Sequence, residues 1–236
     1  MTSDSATLFD NTLNSYHSLS TLALLTLHIS IRFTTIHHLS LALTEESYLL
    51  PSPSSSSPTP SAPRPSTSIL ALNTALTTTD DIFATLLTRA AHTFLTTGLT
   101  HLADNLLVHH AASIGAMNGP GCDRIKLNIL VAQQGLRNVE HRGGPSGAGG
   151  VRLAKASTYY GLFVTGVPGI VDAAKRIAEG KGVGDFAERY SYDELKTLME
   201  LCLSERLASD RREVGVAAKR ELGEGVLGLS EVLWAS

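Results

Sequence analysis

The sequence predicts an all-α fold in which antiparallel helical bundles stack into an elongated rod. Three observations support this prediction. Apolar side chains recur at steps of three and four along most of the 236 residues. No stretch of six or more residues alternates apolar and polar side chains with the period of a strand. Aromatic residues make up only 6% of the chain, so the core must rest on Leu, Ala, Val and Ile, a mixture that suits helices.

The first predicted helix runs from about Tyr16 to Glu46. At about 1.5 Å per residue it would be about 45 Å long, which suits an elongated bundle better than a compact globule. Its apolar stripe consists of Leu22, Leu25, Ile29, Phe33, Ile36, Leu39 and Leu43. The Pro/Ser-rich segment at 51–66 cannot form a core and is expected to be a disordered loop.

Three further helices are predicted before a glycine-rich segment. One runs over about 68–88, and its cluster at 77–81 is a candidate break with a new N-cap. Another runs over about 90–113 and ends at the Gly-containing segment 115–121. The third runs over about 122–140. Its expected buried residues are Ile125, Ile129, Leu130, Leu136 and Val139.

Three helices are predicted in the remainder of the chain. The first, over about 151–179, should be kinked by Pro168. The second, over about 192–208, is preceded by the Ser191 to Glu194 spacing of a capping box. The last runs over about 210–233. With short connections, these helices should pack as antiparallel hairpins and bundles.

The glycine-rich segment 143–150 is the predicted boundary between two domains. It reads as a flexible linker between a helical bundle at 1–142 and a C-terminal helical bundle at 151–236. Charge supports this division, because residues 1–120 contain only Arg32, Arg64 and Arg89 of the 19 Lys and Arg residues. The second bundle is therefore the better solvated one.

The composition argues against several classes of protein. A net charge of −3 lacks the basic surface that neutralises phosphates, so nucleic acid is not an expected partner. Cys122 and Cys202 are the only cysteines, which favours a reducing compartment and two core-filling thiols. The N-terminus lacks the pattern of a secretory signal. The apolar stretch 19–43 is interrupted by histidines and Arg32 and is expected to fall short of a membrane span.

No residue is predicted to be catalytic, to bind a cofactor or to ligate a metal. The nine histidines include His28, His38 and His101, but none has the carboxylate spacing of a helical zinc motif. The glycines at 143–150 and 180–184 lack the Lys-Ser/Thr element and the strand context of phosphate-binding loops. No Ser lies in a nucleophile elbow. A small helical metal-binding protein remains the alternative from a different functional class.

Paired charges also have a structural interpretation. The pairs Asp80-Asp81, Glu45-Glu46 and Asp193-Glu194 are expected at helix ends, where the helix dipole accounts for them. The basic residues between Arg211 and Arg220 interleave with acids and read as a solvated helix face. Membrane contact through that face is expected to be indirect or weak, because anionic lipid attracts net positive patches.

A series of short segments carries a family resemblance. In order, they are Leu25–His28 with Ile31-Arg32, Leu72-Asn73 with Leu76, Gly98-Leu99 with His101-Leu102 and Leu106-Leu107, the block Asn128–Asn138, Tyr159-Tyr160 and Tyr190–Leu195. From about residue 20 to the C-terminus this order resembles the C-terminal region of exocyst complex component four, the Sec-eight subunits. The block Asn128–Asn138 is the most specific segment. Gly135 within it departs from the family pattern, as do the segments 51–65 and 143–150.

The resemblance implies a function that the helix pattern alone does not. Family members are non-catalytic subunits of the exocyst, the vesicle-tethering complex that docks secretory vesicles at the plasma membrane. It implies other exocyst subunits as partners, with small GTPases and fusion machinery as further candidates, and a cytoplasmic, peripheral location at sites of polarised secretion. Members are much longer, so this chain is expected to be a C-terminal fragment or a truncated gene product. A subunit of another helical tether, at the Golgi or endosome, is the alternative within this class.

Overall fold

The computed structural model describes residues 3–51, 63–143, 152–179 and 190–234, with the side chains of 3–6 and 141–143 excepted. Nine α-helices lie in these ranges. They are α1 (Ser3–Thr44), α2 (Thr67–Leu86), α3 (Arg89–Thr96), α4 (Leu99–His109), α5 (Gly119–Gly143), α6 (Ala154–Leu162), α7 (Gly166–Ala178), α8 (Tyr192–Leu207) and α9 (Arg212–Trp234). Two 3-10 turns, His110–Ser113 and Phe163–Thr165, follow α4 and α6.

The predicted all-α class is confirmed. Within the described ranges the only extended pairing is an isolated bridge between Tyr48 and Met117. Helices α2, α3 and α4 pack against α1, and α2 also packs against α5. Helix α6 packs against α4, α5 and α7, and α9 packs against α7 and α8. The rod arrangement remains a prediction.

The linker predicted at 143–150 lies almost wholly outside the described residues. On either side of it, buried apolar side chains form one contiguous cluster that includes Leu107 and Tyr160. The segment 52–62 of the predicted Pro/Ser loop is also outside the described residues. Ser66, at the end of that loop, is fully buried and donates its backbone N–H to Asn128. The division into two bundles remains a prediction.

Two glycines divide helices that the sequence analysis predicted as continuous. The helix predicted over 90–113 breaks at Gly98, whose φ of +79° is left-handed. The helix predicted over 151–179 breaks at Gly166, with φ of +69°. Residues with a side chain rarely adopt a positive φ, which is why glycine occupies both positions. Pro168, the predicted kink, lies instead in the first turn of α7, where its missing N–H removes no helical hydrogen bond.

Three other predictions about helices were wrong. The break predicted at 77–81 does not occur, because α2 continues from Thr67 to Leu86. Leu130 is 62% exposed, although the other four residues predicted to be buried in α5 are buried. In α1, the predicted stripe is exposed over Leu22, Leu25, Ile29 and Phe33. Steps of three and four fit more than one face of this apolar helix, so periodicity could not select the face that packs.

Candidate protein-interaction surface

The packed face of α1 continues into solvent beyond the bundle. Steps of three and four along one face pass through Phe9, Leu13, Tyr16, Ser20, Leu24, Leu27, Ile31, Thr35 and Leu39. Leu39 is fully buried and Ile31 is 5% exposed, whereas Leu13 is 46% and Phe9 65% exposed. The same face is therefore covered at its C-terminal end and bare at its N-terminal end.

A second apolar stripe runs along another side of α1. It consists of Leu19, Leu22, Leu25, Ile29 and Phe33, with exposures between 44% and 67%. A helix that is apolar on more than one side is usually enclosed by other elements. A contiguous patch of this kind marks an interaction site. We refer to the exposed side chains of α1 between residues 8 and 33 as the bare α1 surface.

The polar groups of the bare α1 surface are largely satisfied within the helix. The hydroxyls of Thr12, Ser15, Ser18, Thr21 and Thr26 each donate to the carbonyl four residues earlier, at 2.8–2.9 Å. Covering these hydroxyls would therefore leave no donor without a partner. Between residues 8 and 31 the only formally charged side chain is Asp10. The surface is suited to an apolar, uncharged partner.

By length and composition alone, residues 7–44 of α1 could also cross a membrane, which differs from the expectation for 19–43. The C-terminal part of this segment packs against the bundle, where Ile31, Leu39 and Leu43 are buried. Only 11% of the apolar window is buried, and both mostly buried core helices and N-terminal signal sequences pass the same test. The finding therefore carries little weight by itself.

Hydrogen bonds fix α1 to the α3–α4 connection. Arg32 Nη2 donates to the backbone oxygen of Thr97 at 2.7 Å. The His28 ring stacks on Phe94 with 4.8 Å between the ring centroids. These contacts lie where the covered part of α1 meets its bare part, so they set the direction in which the bare α1 surface projects. Both His28 and Arg32 belong to segments that carry the family resemblance or adjoin them.

A buried hydrogen-bonded pair joins α2 to α3. His92 Nε2 lies 2.6 Å from Asp80 Oδ1, and each side chain is 5% exposed. The prediction that Asp80 lies at a helix end was wrong, since Asp80 lies inside α2. The sequence offers the spacing of twelve residues but no recognised motif for this pair, so the sequence analysis missed it. Glu46 does follow a helix end and bonds Arg124.

The histidines are dispersed among structural contacts. Asn105 Nδ2 donates to His101 Nε2 at 3.0 Å, and His37 packs edge-on against His38. Burial, and then the adjacent His37, lower the pKa of His38. No cluster of three or more His, Cys, Asp or Glu side chains that could hold a metal occurs in the part of the chain that the structure describes.

The two thiols are poorly suited to nucleophilic chemistry. Cys122 donates to the backbone oxygen of Tyr160, and Cys202 lies 3.6 Å from that of Phe163. Burial raises the pKa of Cys122 to about 11 and that of Cys202 to about 12. The reactive thiolate is therefore scarce at neutral pH. The glycine segments at 143–150 and 180–184 lie outside the described residues, except Gly143 at the end of α5.

Comparison with known proteins identifies a relative. No protein-family model matches the chain. A probable exocyst complex component sec8 of Neurospora crassa is 35% identical over 275 aligned residues, and the alignment covers 100% of this chain. The chain is a homologue of the exocyst Sec-eight component. It spans 23% of the relative's length and matches the relative's C-terminal region. The predicted resemblance is confirmed.

The segments that first suggested the exocyst resemblance contain buried polar side chains that connect helices. Asn128 bonds the backbone N–H of Ser66 and the hydroxyl of Tyr48. Gln133 accepts from the backbone N–H of Leu153 at 3.1 Å. The amide of Asn128 is buried and must be paired, which restricts the residues that can replace it, whereas Gln133 is half-buried. In this exocyst homologue the most specific sequence block therefore stabilises the fold.

Three tyrosines of these segments connect the helices around α6. Tyr160 donates to the backbone oxygen of Leu107 at 2.9 Å, which links α6 to α4. Tyr159 donates to the backbone oxygen of Glu194 at 2.6 Å, and Tyr190 to that of Lys155 at 2.9 Å. Burial raises the pKa of Tyr159 and of Tyr160. Both phenols remain neutral donors over the physiological range.

Gly135, the departure from the exocyst family pattern, has a structural reason. A Cβ atom at this position would lie 2.1 Å from Asn73 Oδ1. Asn73 in turn donates to the backbone oxygen of Val131 at 2.9 Å. Glycine therefore allows α2 and α5 to approach closely at this point.

Proposed function

We propose that the chain is the C-terminal part of a non-catalytic exocyst subunit and acts as a helical scaffold that binds other proteins. The observation that carries this proposal is the 35% identity to an exocyst component along the whole chain. The bare α1 surface supports it, since an uncovered apolar helix requires a partner. In this proposal the chain contributes contact surfaces and no reacting groups.

The proposed role is to help dock secretory vesicles at the plasma membrane before fusion. The chain would then be cytoplasmic and peripheral, at sites of polarised secretion, with other exocyst subunits as its direct partners. Two helical bundles joined at 143–150, stacked into a rod, would offer long lateral surfaces for them. Small GTPases and fusion machinery are further candidate partners.

A binding experiment with purified components tests the proposal. The chain is immobilised and presented with each of the other recombinant exocyst subunits, after circular dichroism has shown it to be helical. We expect stoichiometric binding of at least one subunit. If a folded sample binds none of them, the proposal is wrong. Subcellular imaging provides a second test, because a tagged chain should accumulate at growth sites and not at the Golgi or endosomes.

A further inference from the structure

We infer that the bare α1 surface docks charge-poor helices from the part of the exocyst polypeptide that precedes the matched segment. In the Neurospora crassa relative the match is C-terminal and covers 23% of the length, so most of that protein precedes it. The inference rests on this homology and on the exposed residues of α1. It does not depend on the tethering role.

The first argument is the continuity of an existing interface. Helices α2, α3 and α4 pack against α1, and Ile31 and Leu39 on its packed face are buried. The same face continues to Leu13 and Phe9, and Ser20 is the only polar residue on it between Ile31 and Leu13. A protein interior packs such a face against other side chains. A further helix laid beside α1 would extend the bundle along the same face.

The second argument is the chemistry of the surface. With Asp10 as the only formal charge over residues 8–31, no ion pair can select a charged partner. The hydroxyls of Ser15, Thr21 and Thr26 are already bonded to the backbone, so an apolar partner suits these positions better than a polar one. The occupant should present Leu, Ile, Val and Ala at steps of three and four.

The third argument concerns the extent of the surface. Residues 8–33 of a helix span about 38 Å, enough for a partner helix of seven turns. Apolar side chains lie on two sides, at Leu13 and Tyr16 on one and at Leu22 and Ile29 on the other. A single added helix would cover one side only. Two helices, as in a helical hairpin, would cover both.

A lipid surface fits these observations less well. Helices that lie on a membrane combine an apolar face with a Lys- and Arg-rich face that contacts the headgroups. The bare α1 surface has no Lys or Arg between residues 8 and 31, and its polar side chains include Asn11 and Asn14. We therefore treat lipid binding, and pairing of two copies of this chain, as outcomes that would contradict the inference.

The test combines this chain with the Neurospora crassa relative from which the matched C-terminal segment has been removed. The two are coexpressed and analysed by size-exclusion chromatography with light scattering. We expect a 1:1 complex. The double variants Leu13→Glu/Tyr16→Glu and Leu22→Glu/Ile29→Glu should each weaken binding at least about 100-fold, because each places two charges against an apolar partner.

The matched control is the double variant Val216→Glu/Leu227→Glu. These α9 residues are 60% and 66% exposed, which is similar to the exposure of the α1 residues. The control should bind like the unaltered chain, and all variants should keep their helicity. Equal binding by the α1 variants would overturn the inference. Two other results would also overturn it. One is that this chain forms a dimer by itself and the α1 variants abolish the dimer. The other is that the unaltered chain binds neutral phosphatidylcholine vesicles and the α1 variants do not.

Hydrogen exchange in the intact relative provides a test that needs no variant. Amides aligned with residues 8–31 should be as protected as those aligned with α5. Rapid exchange there would overturn the inference. The tethering proposal is judged separately by binding to other exocyst subunits, so this chain could fail that test and still bind the preceding region.

Discussion

His92 Nε2 lies 2.6 Å from Asp80 Oδ1, and the pair connects α2 to α3 inside the bundle. Replacing one member of a buried hydrogen-bonded pair removes that bond from the group that remains. We expect His92→Leu to lower the free energy of unfolding by about 1–3 kcal/mol, measured by urea denaturation. The matched control is His17→Leu at an exposed histidine of α1, which should change the free energy by less than about 0.5 kcal/mol. Equal effects of the two changes would contradict a structural role for the pair.

The close approach of Gly135 and Asn73 predicts a destabilising alanine substitution. Gly135→Ala should lower the free energy of unfolding by about 1–3 kcal/mol, because the new Cβ would overlap Asn73 Oδ1. In α9, Gly223 has no atom within 4 Å of an added Cβ. There the same substitution should stabilise by up to about 1 kcal/mol through helix propensity.

A double-mutant cycle separates this steric effect from other consequences. Asn73→Ala removes the obstructing amide, so Gly135→Ala should cost less in that background than alone. Additive losses would show that the two side chains do not conflict. Thermal and urea unfolding would both report the difference.

The sequence predicted the helices well, since apolar spacing and caps are local signals. The capping box is one example: Ser191 accepts from the Glu194 N–H, and Glu194 accepts from the Ser191 N–H. The sequence analysis missed the break at Gly98, because glycine also occurs inside helices. The turn is held by a tertiary hydrogen bond from Arg32 to the backbone oxygen of Thr97. Local pattern could not supply that information.

The candidate surface was only partly predictable for a related reason. The spacing of apolar residues in α1 predicted a helix, but the side that is covered depends on where α2, α3 and α4 pack. The sequence analysis therefore assigned Leu22 and Ile29 to the packed stripe, and the structure exposes them. Likewise, Asp80 and His92 are brought together by a helix turn that no motif describes. The family resemblance, by contrast, was visible because buried amides such as Asn128 tolerate few replacements.

Hydrogen bonds join residues before the segment 143–150 to residues after it. They predict that the two fragments stay associated when the chain is cut within this segment. Asp104 in α4 accepts from the backbone N–H groups of Lys155 and Ala156 at 3.1 and 2.7 Å, which caps α6 from the other side of the segment. A protease site introduced after Ser146 should yield two fragments that coelute. Separation of the fragments would favour two independent bundles. Asp104→Ala should weaken the association of the fragments, since loss of a cap costs about 1 kcal/mol.

The buried thiols predict a loss of stability at alkaline pH. Burial raises the pKa of Cys122 to about 11, whereas a thiol in the unfolded chain has its ordinary pKa of 9.0. Below pH 9 the thiol is protonated in both states, so its contribution to stability is fully present. Between about pH 9 and 11 the unfolded state loses the proton first, and the free energy of unfolding falls as the pH rises. Cys202, raised to about 12, acts in the same direction. Replacing both residues with Ala should make the decline between pH 9 and 10 shallower in urea titrations, whatever its effect at pH 7. If the slope is unchanged, the folded thiols ionise at an ordinary pH and are more accessible to solvent than their contacts indicate.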